Sequence, residues 1–128
     1  MINELHWVLQ NRNSIITKET ILWTLTNLCC NETISNMMIQ LNDGVYEQVL
    51  YQFRSSKYPN IKYEALNFLI TLINNCTVDH RGTLRVICKE LMESIYEELT
   101  EIEDDKLLQI IILEALSHIF TKFKDLKI

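Results

Sequence analysis

The 128-residue chain is long enough for one domain with a sizeable core, and its 48% hydrophobic and 23% charged residues are ordinary for a folded soluble protein. Only 2 glycines and 1 proline occur, too few for the tight turns of a sheet protein, so the composition points to helices joined by short polar loops. The formal net charge of −5 argues against a nucleic-acid surface, which needs a basic face, and suits a basic partner.

In chain order, Ile2–Leu9 reads as a helix, and Thr17 as the N-cap of a first long helix through Leu28. Glu32–Leu41 reads as a short helix broken at Asn42-Asp43-Gly44, where Gly44 supplies the left-handed conformation of a sharp helix end. Val45–Phe53 reads as a second short helix with Val45, Val49, Leu50 and Phe53 on one face. A loop, Arg54–Asn60, contains Pro59, and Asn60 is the expected N-cap of the next long helix. Two short helices near Thr83–Cys88 and Glu90–Leu99 come next, then an acidic loop, then a long helix from about Asp105.

The long helices repeat. Ile21–Leu28, Ala65–Leu72 and Ile112–Ile119 superpose without gaps, at spacings of 44 and 47 residues. Units of roughly 40–47 residues are those of armadillo and HEAT repeats. Ala65, Leu69, Leu72 and Ile73 share one helical face, as do Ile112, Leu116 and Ile119. The expected architecture is therefore all-α: a right-handed armadillo/HEAT-like solenoid of about three repeats, the first incomplete. It forms a single domain over 1–128, with units of approximately 1–31, 32–76 and 77–128. The last long helix is apolar around most of its circumference, so its outer side wants cover.

Glu19-Thr-Ile-Leu-Trp-Thr-Leu-Thr-Asn-Leu28 resembles the third helix of an armadillo repeat, most of all those of the importin-α adaptors that bind nuclear localisation signals. Lys106–Phe120 is similar to a late repeat of that family, and Asn42-Asp-Gly-Val45 to its helix-breaking turn. The resemblance implies a concave groove lined by the third helices. There a Trp face takes the stems and cationic heads of Lys or Arg, and an Asn one turn later binds the backbone of an extended peptide. Trp23 and Asn27 match that pair at i, i+4. The matching positions of the later helices depart from it, being Asn67 and Thr71, then Glu114 and His118. With Asn74 and Asn75 these form a polar row able to hold a peptide backbone, while Glu19 and Glu114 attract a basic residue.

Chemistry-bearing patterns are sparse. The sequence shows no glycine-rich phosphate loop, no G-x-S-x-G elbow and no H-E-x-x-H, so no enzyme and no cofactor is expected. Cys29, Cys30, Cys76 and Cys88 lack zinc-ligand spacing and read as small core residues; Met38 and Met37 read as core filler. Glu97, Glu98, Glu101, Glu103, Asp104 and Asp105 read either as a solvated, helix-capping loop or as a docking patch for basic side chains. No secretion signal and no membrane-spanning run is visible, and the resemblance implies a cytoplasmic and nuclear location.

Two functions are open at this level. One is an importin-α-like adaptor that takes an extended, basic peptide for nuclear protein import. The other is a degenerate scaffold that docks a folded partner over Leu108–Phe120, or self-associates through exposed terminal faces. A solvent-exposed Trp23 favours the first.

Overall fold

The computed structural model describes Trp7 and residues 14–41, 45–77, 82–99 and 106–125. Among these residues six helices are delimited and no strand occurs, so the fold is all-α. The expected Ile2–Leu9 helix (Trp7 apart) and the Gly44 turn lie outside the described residues.

Helix α1 spans Ile15–Leu28 and is capped by Ser14, whose Oγ accepts from the Thr17 N–H at 3.4 Å. Thr17, the expected cap, instead lies within the first turn and donates to the cap. Helix α2 spans Glu32–Leu41, with Asn31 Oδ1 accepting from the Ile34 N–H at 3.1 Å and Glu32 favourably placed in the first turn. Helix α3 spans Val45–Ser55 and buries Val45, Val49, Leu50 and Phe53, as the pattern requires.

Helix α4 spans Pro59–Asn75. Its N-cap is Tyr58 rather than Asn60, because Pro59 occupies the first helical position, where its fixed φ suits the helix and its missing N–H has no partner to lose. Helix α5 is a single element, Thr83–Leu99, where two short helices were expected. No glycine or proline interrupts Thr83–Leu99, so nothing stops the helix once it starts. Gly82 precedes it at φ +78°, a left-handed backbone that a side chain would strain. Helix α6 spans Lys106–Asp125.

Helix α4 is the centre of the packing. It lies against α1, α3, α6 and, less extensively, α2, while α5 lies against α6, α3 and α2. The three superposed segments thus fall on α1, α4 and α6, with α4 between the other two. Equivalent core positions are filled alike: Ile21, Ala65 and Ile112 are all buried, and so are Leu25 and Leu69. One apolar cluster runs through all six helices. Three cysteines join it, Cys29, Cys76 and Cys88; Cys30 does not and is exposed. Met38 is buried, but Met37 is partly exposed, contrary to its expected role as filler.

The central helix is also held by a charge. Lys62 Nζ pairs with Glu98 on α5 at 2.7 Å, donates to the Phe53 carbonyl at the end of α3 at 2.9 Å, and stands 5.7 Å from the centre of the Phe53 ring. Both side chains are nearly enclosed. Glu98 is therefore an internal tie between helices, neither a solvated loop residue nor part of a docking patch. Its neighbour Glu97 is exposed and reaches Arg54 at only 3.8 Å, a contact contributing ~0–1 kcal/mol. Glu101 to Asp105 lie outside the described residues.

At the far end of α4, Thr77 binds Asn36 of α2 twice, at 3.0 and 3.1 Å, and its hydroxyl also meets Glu32 at 3.1 Å. The two ends of α4 are thus fixed by polar contacts to different neighbours. That leaves the side between α1 and α4 to be defined by what they expose.

Candidate functional site

The periodicity of α1 decides which residues face out. Ile21, Leu22, Leu25 and Thr26 fill the buried side, so Trp23 and Asn27, one turn apart, are left on the outer side. Trp23 is 61% exposed, unusual for the largest apolar side chain, and Asn27 is exposed beside it. No side-chain partner of Asn27 occurs among the described residues, so its amide is available to donate and accept at once.

Trp23 borders an open cleft of about 230 Å³ between α1 and α4, lined by Glu19, Thr20, Trp23 and Glu64. Glu64 is the residue that sequence reasoning missed. Its Oε2 is enclosed and has no hydrogen-bond partner among the described residues. Burial pushes its carboxyl above the usual carboxylate range, and the charge of Glu19 pushes it further. An enclosed carboxylate oxygen without a donor is costly, and a cation seated nearby relieves that cost. The cleft thus presents an aromatic face and two carboxylates, with no cation among the described residues lining it.

The remaining expected residues lie on α4 and α6. Asn67 and Thr71 are half-buried on α4, at the positions equivalent to Trp23 and Asn27. The Thr71 hydroxyl donates to the Asn67 carbonyl at 2.8 Å, so its only proton is spent on the helix. Asn74 is exposed, whereas Asn75 turns back and donates to the Thr71 carbonyl at 2.9 Å. Glu114 is exposed and His118 half-buried on α6. The equivalent pairs on α1, α4 and α6 therefore all retain some exposure. Glu19 and Trp23 of the expected set meet in one cleft.

Other chemistry finds little footing. Cys29 is buried, its thiol pushed up to about 12 chiefly by burial, which makes it a poor nucleophile. Among the described residues no group of three His, Cys, Asp or Glu could hold a metal ion, and no helix is long and apolar enough to cross a membrane. Comparison with protein-family models, curated proteins and solved structures yields no match.

Proposed function

We infer that the chain is a short armadillo/HEAT-like solenoid of about three repeats. In this reading it acts as an importin-α-like adaptor that binds an extended, basic peptide of the nuclear-localisation type, for nuclear protein import. The observation that carries the reading is the exposed Trp23 beside Glu19 and the unpartnered Glu64. Three long helices at repeat spacing, with α4 packed between α1 and α6, support the solenoid. Residues 45–75 end a unit in helix–helix order, and the next unit has α5 and α6 as its two described helices, the two-helix plan of a HEAT unit.

The mechanism is binding without chemistry. A Lys or Arg stem lies on the Trp23 face, and its cationic head stands between Glu19 and Glu64. The ring supplies a cation–π attraction of about 0.5–2 kcal/mol, greater as water is excluded. Asn27 pairs with one peptide unit of the ligand, and Asn67, Asn74, Glu114 and His118 continue the polar row across α4 and α6. With one Trp shelf, the groove selects one basic position strongly and reads the rest through backbone contacts. The protein partner is a basic segment, and the sites of action are the cytoplasm and nucleus.

Fluorescence anisotropy with a labelled Lys/Arg-rich peptide and its Lys→Gln counterpart tests the reading. The basic peptide binds at least about tenfold more tightly, and the gap narrows as salt screens the carboxylates. Equal affinity for the two peptides at low salt would refute it.

A further inference from the structure

Equivalent positions of the three long helices differ in one respect. Leu22 and Leu66 are both 0% exposed, but their counterpart Leu113 is 62% exposed. Thr26 and Ile70 are buried while Ser117 is exposed, and Cys29 and Ile73 are buried while Phe120 is 58% exposed. These positions lie at i, i+4 and i+7, one stripe along a helix. On α1 the stripe is closed by later helices of the chain: α4 packs on α1, and Cys29 Sγ meets Met38 of α2 at 3.4 Å. The same stripe on α4 is closed, with α6 packed on that helix. On α6 it is open, and Leu107 and Ile110 widen it, both more than half exposed. The opening falls within the Leu108–Phe120 stretch that the sequence suggests, on the side turned away from Leu108, Ile111, Ile112, Ala115 and Ile119, which are buried.

The repeat states what belongs there: another long helix, side by side with α6. A helix with a matching apolar stripe is α6 itself. The 20 residues of α6 span about 30 Å, enough for two copies to cover each other along their length. Charge permits it. The chain carries −5, yet the exposed arc of α6 through Thr121 holds one lysine, Lys106, and one glutamate, Glu114, and so has no net charge. Ser117 at the middle of the stripe lets two backbones come close.

We propose that the open stripe of α6, Leu107, Ile110, Leu113 and Phe120, is an isologous interface that pairs with the same stripe of a second copy of this chain. A two-fold arrangement uses one patch twice and leaves neither copy with an open stripe. A contact of essentially one helix pair is at the small end of stable interfaces, so the equilibrium is sought from micromolar concentrations upward. The inference does not rest on the peptide groove, whose Trp23 cleft lies between α1 and α4 and which reaches α6 through Glu114 and His118.

Sedimentation equilibrium of the full chain from about 1 to 200 µM reads it directly. A reversible monomer–dimer equilibrium is expected. Leu113→Asp and Ile110→Asp each weaken it at least about tenfold, because a charge is then desolvated at the centre of the contact. Both residues are exposed in the monomer, so the melting temperature of each variant at low concentration stays close to that of the parent. Ile16→Asp, at a still more exposed residue of α1, leaves the dimer intact. A chain that stays monomeric throughout overturns the proposal and leaves the stripe to a helix of a different protein. So does a dimer that survives both α6 variants. Loss of the dimer on Ile16→Asp also overturns it, in favour of head-to-tail stacking.

Discussion

Lys62 and Glu64 stand two residues apart on the same helix and face roughly opposite ways, since two residues turn an α-helix by about 200°. Lys62 is enclosed with a carboxylate, a carbonyl and a ring around it. Glu64 is half-buried with one oxygen that no described residue satisfies. The first charge joins three helices through a carboxylate, a carbonyl and a ring of the protein itself. The second faces a cleft with a second carboxylate and an exposed Trp. A buried charge whose hydrogen bonds are complete belongs to the architecture, while one left incomplete at the edge of a cleft marks where a partner supplies the missing donor.

The contrast is broken most sharply at Lys62. Lys62→Ala leaves Glu98 enclosed and unpaired, and should cost about 3–5 kcal/mol in a chemical-denaturation experiment. Lys62→Met combined with Glu98→Leu should recover most of that loss, because the charge penalty disappears with the charge. On the other side of α4, Trp23→Ala should weaken binding of a Lys-rich peptide by about 1–2 kcal/mol, measured by anisotropy. The same substitution should change folding stability by less than about 0.5 kcal/mol, as expected for an exposed side chain.

Glu64→Gln has the smallest effect and separates its two roles. Peptide affinity at neutral pH should fall by up to about fivefold, the scale of one partly exposed charge contact. The folded protein holds the Glu64 proton more tightly than the unfolded chain does. The stability it contributes is therefore present at low pH and lost as pH rises through the carboxylate range and past the raised value in the folded state. Glu64→Gln should flatten that part of a melting-temperature profile and raise the melting temperature at pH 7. Cation binding has the opposite sign, since only the deprotonated carboxylate attracts a cation. Wild-type affinity for a basic peptide should rise with pH over the same range, and the Gln variant should lose that rise.

The two sides also differ in how far the sequence discloses them. Helix faces are local, and the burial of Val45, Val49, Leu50 and Phe53, or the outward turn of Trp23 and Asn27, comes from spacing alone. Boundaries are less legible where two candidates compete within a turn, as Ser14 and Thr17 do for one cap. The repeat template divides Thr83–Leu99 into two helices, and the absence of any helix breaker overrides it. The Lys62–Glu98 pair joins residues 36 apart in the chain, and the Trp23–Glu64 cleft joins residues 41 apart. No local pattern carries such pairings. Glu98 looks like one more acid in a charged run, and Glu64 like an ordinary helix carboxylate, until packing assigns one a partner and denies one to the other.

The most direct measurement is the affinity of one labelled Lys-rich peptide for the parent chain and for Trp23→Ala/Asn27→Ala, at low salt and with matched melting temperatures. The account predicts that the double variant loses at least about tenfold in affinity while remaining folded. Undiminished binding by the folded double variant would contradict a peptide groove centred on α1.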